Sequence, residues 1–158
     1  MPDPASPGQQ PTDARDPYTG YRFIVEVAGV VHAYFQECSG MSMTTEVKDF
    51  WEGGLNDNKH KLPGRTNFSN VTLKRGLTDS TDMWDWIHDF NAAQDKTSQT
   101  KDVAIVQLDF QGGQLYRWEL GGAWPVKWTG PSFNTSQSSM SVETFEVAFA
   151  SLTAVKVA

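Results

Sequence analysis

In Tyr21-Arg22-Phe23-Ile24-Val25-Glu26-Val27, the residues Tyr21, Phe23, Val25 and Val27 alternate with Arg22, Ile24 and Glu26. A period of two with one apolar phase marks a half-buried strand, because successive side chains of an extended backbone point to opposite faces. Gly29 offers a turn, and Val30 to Cys38 reads as the returning strand of a hairpin until Ser39-Gly40 breaks it. Val142 to Leu152 shows the same alternation, with Phe145, Val147 and Phe149 on one side. Between these ends, Met43 to Trp51 is rich in β-branched and aromatic residues (Thr44, Thr45, Val47, Phe50, Trp51), and Thr66 to Lys74 is strand-like again. Asp102 to Phe110 and Gln114 to Leu120 flank Gln111-Gly112-Gly113, a hairpin turn. Ala123 to Trp128 contains Pro125, which predicts an edge strand or a bulge.

One segment carries helical spacing. Asp79, Ser80 and Thr81 offer N-caps, and Asp82 places a negative charge in the first turn. Met83, Ile87 and Phe90 follow at i, i+4 and i+7, with Trp84 and Trp86 widening the apolar stripe and Asp82, Asp85 and Asp89 on another face. The helix is predicted to fade near Gln94 into a polar linker, Asp95 to Lys101. The reading is a mainly β, mostly antiparallel domain with one helix. Residues 1–17 hold five prolines and little that packs, and read as a flexible arm ahead of a single domain over 18–158. From Glu52 to Arg65 the sequence is polar and turn-rich, and is predicted to be a loop far longer than the two to five residues usual in a hairpin.

The chain has 158 residues and a formal net charge of −6. That balance disfavours nucleic acid, whose affinity for proteins comes from Lys and Arg neutralising phosphates. The cations Lys59, Lys61, Arg65, Lys74 and Arg75 read as solvated loop and strand-end charge. One cysteine, Cys38, excludes an intrachain disulfide, fits folding in a reducing cytoplasm and is expected to be a buried structural thiol. Neither a membrane-length apolar run nor a basic-then-apolar leader is present, so no stable membrane insertion and no conventional signal are expected.

Sites of chemistry are not evident. His32 and Cys38 would lie about 20 Å apart along one strand. His32, His60 and His88 form no metal-ligand pair, the Asp57 region lacks the closing glutamate of a calcium loop, and the glycine pairs lack a phosphate-loop ending. No catalytic, cofactor-binding or metal-ligating residue is assigned, and the chain is not expected to be an enzyme. Six tryptophans leave two accounts open: core packing, or stacking platforms for sugars in a carbohydrate-binding β-sandwich.

These pieces also form an ordered series. Asp16-Pro17-Tyr18 precedes the first strand; then come Phe35-Gln36-Glu37-Cys38-Ser39-Gly40-Met41, Glu52-Gly53-Gly54-Leu55-Asn56 and Lys61-Leu62-Pro63-Gly64-Arg65. Val71-Thr72-Leu73-Lys74-Arg75-Gly76, Trp84-Asp85-Trp86-Ile87 and Ala123 to Pro131 complete it. In this order they resemble the tail-tube proteins of contractile phages and extracellular contractile injection systems, over residues 16 to 155. The resemblance implies two packed antiparallel sheets, sandwich- or barrel-like, with a flanking helix and a long extended hairpin. It implies rings of six subunits stacked into a hollow tube inside a sheath protein, with a baseplate or hub, a tube-terminating protein, and a tape-measure or effector cargo in the lumen. Assembly is expected in the cytoplasm, as part of a phage virion or a tail-like particle. It implies further that Trp51, Glu52, Gly53, Gly54, Leu55, Asn56, Lys61, Leu62, Pro63, Gly64 and Arg65 reach onto a neighbouring subunit. The net charge adds the expectation of an acidic bore that repels anionic cargo.

Overall fold

The computed structural model describes residues 22–32, 35–51, 53 and 59–157, and only the backbone of 31, 32 and 59. The arm over 1–17 and the predicted contact residues Glu52, Gly54, Leu55 and Asn56 lie outside this set. In chain order the elements are β1 (Phe23–Val27), β2 (Val30–His32), β3 (Phe35–Ser39), β4 (Met43–Trp51), β5 (Lys59–Phe68) and β6 (Val71–Gly76). The helix α1 (Asp82–Ala92) and a 3₁₀ turn (Lys96–Gln99) follow, then β7 (Lys101–Leu108), β8 (Gln114–Thr129), β9 (Val142–Ala148) and β10 (Ser151–Lys156).

Every strand pairing is antiparallel. The order β2-β1-β7-β8-β9-β6-β3 folds into two layers because β8 belongs to both. Its first half pairs with β7 on one side and β10 on the other; its second half pairs with β9. The bend falls at Gly121-Gly122, where Gly122 takes φ 60° and a side chain on Gly121 would collide with Ser151 Oγ. The sequence reading split this 16-residue strand in two at the glycines. Pro125 does fall at a bulge, between the pairs Pro125–Val147 and Lys127–Glu146. The two layers do not close into a barrel.

The core lies between the layers. Val25, Val27, Val103, Ile105 and Leu120 from the first layer meet Phe35, Val71, Leu73, Phe145, Val147 and Phe149 from the second. These are the apolar phases of the alternating strands, as the period of two requires. Helix α1 adds Met83 and Trp86, and the Trp86 indole donates to the Gln99 carbonyl at 3.0 Å. Trp84, expected in the core, is exposed and stands edge-on to Trp128, with ring centroids 4.8 Å apart. Ile87 is only partly buried. The helix packs chiefly on β8 and the 3₁₀ turn, a narrow support, so the buried stripe is the i, i+3 pair Met83 and Trp86 rather than the broader face the spacing suggested. Thr81 precedes the helix but makes no side-chain cap; its hydroxyl donates to the Asp85 carboxylate at 3.2 Å.

Three further differences have local causes. The predicted hairpin return from Val30 to Cys38 is two strands: β2 stays beside β1, while β3 leaves to pair with β6 in the other layer. The stretch read as one strand from Thr66 to Lys74 divides at Ser69-Asn70, where Ser69 N donates to the Ser42 carbonyl and the chain passes from β5 to β6. Lys59 to Arg65, read as loop, is strand: β5 begins at Lys59 and pairs with β4 through Pro63. Proline is tolerated there because a two-stranded ribbon has only edges.

Arg75 also departs from expectation, being buried rather than solvated. It shares a phase with Val71 and Leu73, so it points inward, directly opposite Glu143 on β9. The guanidinium Nε donates to Glu143 Oε1 at 2.7 Å, with side-chain exposures of 4% and 9%. Nη2 reaches the Ser80 carbonyl at 3.2 Å, just ahead of α1, and the Trp128 indole donates to Glu143 Oε2 at 3.2 Å. Arg75 also lies over the rings of Phe35 and Phe145, at 5.6 and 5.2 Å. Both Glu143 oxygens are thus engaged and no buried side-chain nitrogen or oxygen among the described residues lacks a partner, the condition for tolerating buried charge.

Candidate subunit interface

The two-stranded ribbon β4–β5 stands apart from the layers. Its register runs Val47–Pro63, Lys48–Leu62, Asp49–Lys61, Phe50–His60 and Trp51–Lys59. At its base Phe68 packs on the Phe149 ring, 5.3 Å between centroids, and Ser42 and Ser69 share a 2.6 Å hydrogen bond. Beyond the base neither strand packs substantially on another described element. Val47, Phe50, Trp51 and Leu62 are between 49% and 65% exposed, and Met43 and Pro63 are exposed beside them. Large apolar side chains on a two-stranded ribbon are unusual for a lone monomer, since such a ribbon is marginally stable in water and its edges invite pairing.

The described members of the predicted contact set separate by role. Trp51, Lys61, Leu62, Pro63 and Arg65 lie exposed along the ribbon. Gly53 sits toward the tip, with open space where a side chain would be. Gly64 has an internal duty: a Cβ there would meet Glu46 Cβ at 2.9 Å, and the register shifts between Thr45 and Val47 opposite it. It marks a bulge that kinks the ribbon. Val47, Phe50 and Met43 were read as ordinary strand residues. The signal available was the failure of Met43 to Trp51 to alternate: apolar residues occupy both phases, at 43 and 47 and again at 50.

The outward face of the first layer is a second candidate surface. A cavity of about 470 Å³ is lined by Glu26, Asp102, Ala104, Arg117, Glu119 and Thr153 among others. Arg117 bridges Glu26 at 2.6 Å and Glu119 at 3.1 Å, and the hydrogen bond that it donates to the Glu26 carboxylate holds its guanidinium charge more firmly than usual. Glu26 is thus buried beneath Arg117, although its strand phase read as solvent-facing. The groups satisfy one another and present no nucleophile with a base. Among the described residues, no three His, Cys, Asp or Glu side chains gather as metal ligands. Cys38 is half-buried near Phe23, Met41 and Trp118, and its thiol is pushed up to about 11, first by burial and then by the Glu37 charge. That makes it a poor nucleophile. Trp84 and Trp128 meet at an interplanar angle of 70°, an edge rather than a flat sugar platform. No helix among the described residues is long and apolar enough to cross a membrane.

Comparison with known proteins agrees with this geometry. The family described as T4-like virus tail tube protein gp19 matches residues 19–153. Among solved structures, the chain is similar to one in the PVC sheath–tube complex of an extracellular contractile injection system in its extended state, with 26% identity and a TM-score of 0.80. That match covers 91% of this chain and 95% of the other. A chain of the tube-terminating cap of the anti-feeding prophage matches with 25% identity and a TM-score of 0.80, over 94% of this chain and 97% of that one. Hcp1 from Flavobacterium johnsoniae shares the fold at 15% identity and a TM-score of 0.58, over 85% and 95% of the two chains. None of the curated proteins matches the chain. An exposed apolar ribbon on a two-layered β fold, matched over most of its length by this family, places the chain in the T4-like virus tail tube protein gp19 family, as a tail tube protein of contractile injection systems.

Proposed function

We propose that copies of this chain close into rings of six and stack as the inner tube of a contractile particle, with the β4–β5 ribbon lying across neighbouring copies. The observation that carries this reading is the ribbon itself, along which Val47, Phe50, Trp51 and Leu62 stay 49–65% exposed. Strands β2, β3 and β10 each pair on one side only, and a head-to-tail contact through open edges forms a ring when the rotation closes. Sheath protein binds outside the tube, a baseplate or hub starts it, a terminator ends it, and a tape-measure or effector cargo occupies the lumen. Assembly takes place in the cytoplasm, and the tube serves as a stiff conduit with no catalysis and no cofactor. The outward face of the first layer, with Glu26, Asp102 and Glu119 around Arg117, is the acidic surface suited to line the bore. A basic bore in an assembled particle sinks that assignment.

Negative-stain electron microscopy of the purified chain across concentrations, with and without a nucleating baseplate, tests the reading. Rings or hollow tubes of uniform width are expected. Deleting Gly53 to Lys61 is expected to leave a folded monomer that forms neither; normal tubes from that variant refute the role of the ribbon.

A further inference from the structure

The apolar phase of β1 is closed over at one end and open at the other. Val25 and Val27 are buried, whereas Phe23 is only partly so. Beside Phe23 a groove of about 340 Å³ runs between the layers. Phe23, Ile105 and Trp118 of the first layer line one wall, and Cys38 and Met41 at the end of β3 line the other. Cys38, Met41 and Trp118 are likewise only partly buried where they border the core. Arg22 stands at the entrance to β1. Its carbonyl accepts from Leu108 N at 2.9 Å, and its guanidinium donates to the Phe110 carbonyl at 2.8 Å. These bonds carry the β1–β7 pairing one residue past Phe23, so the chain arrives extended.

We propose that Tyr21 and Tyr18 occupy this groove and anchor the root of the N-terminal arm on its own domain. Tyr21 shares the phase of Phe23, Val25 and Val27, which in β1 is the phase turned toward the second layer. Ahead of it Gly20 permits a turn, which brings Tyr18 back toward the groove. Tyrosine suits the lining: its ring packs on Phe23, Met41 and Trp118, and its hydroxyl meets Gln36 and Glu37 at the rim. The occupant is the same chain because four residues reach at most about 14 Å from Arg22, and the groove begins at the next residue, Phe23. A segment of another copy would first have to displace it. The anchor holds independently of tube assembly. Its consequence for assembly is that residues 1–15 leave the domain from one fixed place, between β1 and β3, whatever partner they meet beyond it.

Cys38 is the only thiol of the chain and lies in the groove wall, so it reports on the occupant. Its alkylation by iodoacetamide is timed at fixed pH, below the concentration of assembly. The full chain is compared with deletions of residues 2–15 and 2–20, with Tyr21→Phe, and with the double variant Tyr18→Ser/Tyr21→Ser. The shorter deletion and Tyr21→Phe are expected to label at the wild-type rate. The longer deletion and the double serine variant are expected to label at least about tenfold faster, the factor that a contact of about 1.4 kcal/mol supplies. A rate unchanged by deleting residues 2–20 overturns the proposal. So does protection of Cys38 that appears only on assembly, which gives the groove to another copy. A second measurement covers variants that lose global stability. In the unmodified monomer, nuclear Overhauser contacts are expected between the Met41 methyl and the Tyr21 ring, and their absence overturns the proposal as well.

Discussion

Replacing Glu143 with alanine removes the partner of a guanidinium that is 4% exposed. The structure allows the cost to be worked out. Breaking a buried ion pair by deleting one member costs about 3–5 kcal/mol, because the remaining charge is left unpaired in a poorly polarisable surrounding. The Trp128 indole loses its acceptor as well, adding about 1 kcal/mol, since that nitrogen is only partly buried. With a urea dependence of about 1–3 kcal/mol per molar for a small protein, the unfolding midpoint of Glu143→Ala should fall by roughly 2 M. The double variant Arg75→Met/Glu143→Leu removes both charges and fills their volume, which elsewhere is neutral or stabilising by about 1–4 kcal/mol. The double variant is therefore expected to be more stable than either single one. The assay is urea unfolding followed by tryptophan fluorescence, below the concentration of assembly. A loss under about 1 kcal/mol for Glu143→Ala, or a double variant as costly as the two single ones added together, would show that the pair is effectively solvated and refute the reasoning.

Trp86→Ala should cost about 3–5 kcal/mol through a cavity under α1, whereas Trp84→Ala should cost under about 1 kcal/mol in the monomer; equal losses in thermal unfolding would contradict the assigned helix face. Gly122→Ala forces a side chain into φ 60° at the bend of β8 and should cost about 1–2 kcal/mol, read by chemical denaturation; an unchanged midpoint would mean that the bend relaxes freely. Cys38 should resist maleimide at pH 8 in the folded chain, because a thiol raised to about 11 is there only about one-thousandth ionised. Its folded-state value lies above the unfolded one of 9.0, so its contribution to stability is full below pH 9 and is lost as pH rises toward about 11. Rapid labelling of folded protein at pH 8 would show that the site is open.

What the sequence made legible was periodicity. The inward phases of β1, β6 and β9 are the alternating residues Val25, Val27, Val71, Leu73, Phe145 and Val147, and the helix begins where its acidic first turn indicated. What stayed hidden were facts of partnership. Glycine pairs look alike in a turn and in a bent strand, and what makes Gly121-Gly122 a bend is the bond that Ala150 N, from far along the chain, donates to the Gly121 carbonyl. Arg75 carried its own clue, a cation in the apolar phase of Val71 and Leu73, but only Glu143 from a distant strand explains it. Of the exposed apolar residues along the ribbon, Trp51, Leu62 and Pro63 were singled out in the sequence, while Val47 and Phe50 were hidden within an ordinary β-rich run. Exposure depends on what does not pack there, and its one local trace was the broken alternation of Met43 to Trp51.

Strand β8 has a mechanical consequence. Layers joined only by side-chain packing can slide, because dispersion contacts re-form after a small displacement. Here one peptide chain threads both layers, and the β9–β10 segment runs against it on either side of the bend. A load applied to one layer is transmitted to the other along a covalent backbone flanked by hydrogen bonds strained in shear, many at once rather than one after another. The subunit should behave as a stiff strut under compression, yielding at its ribbon before its core.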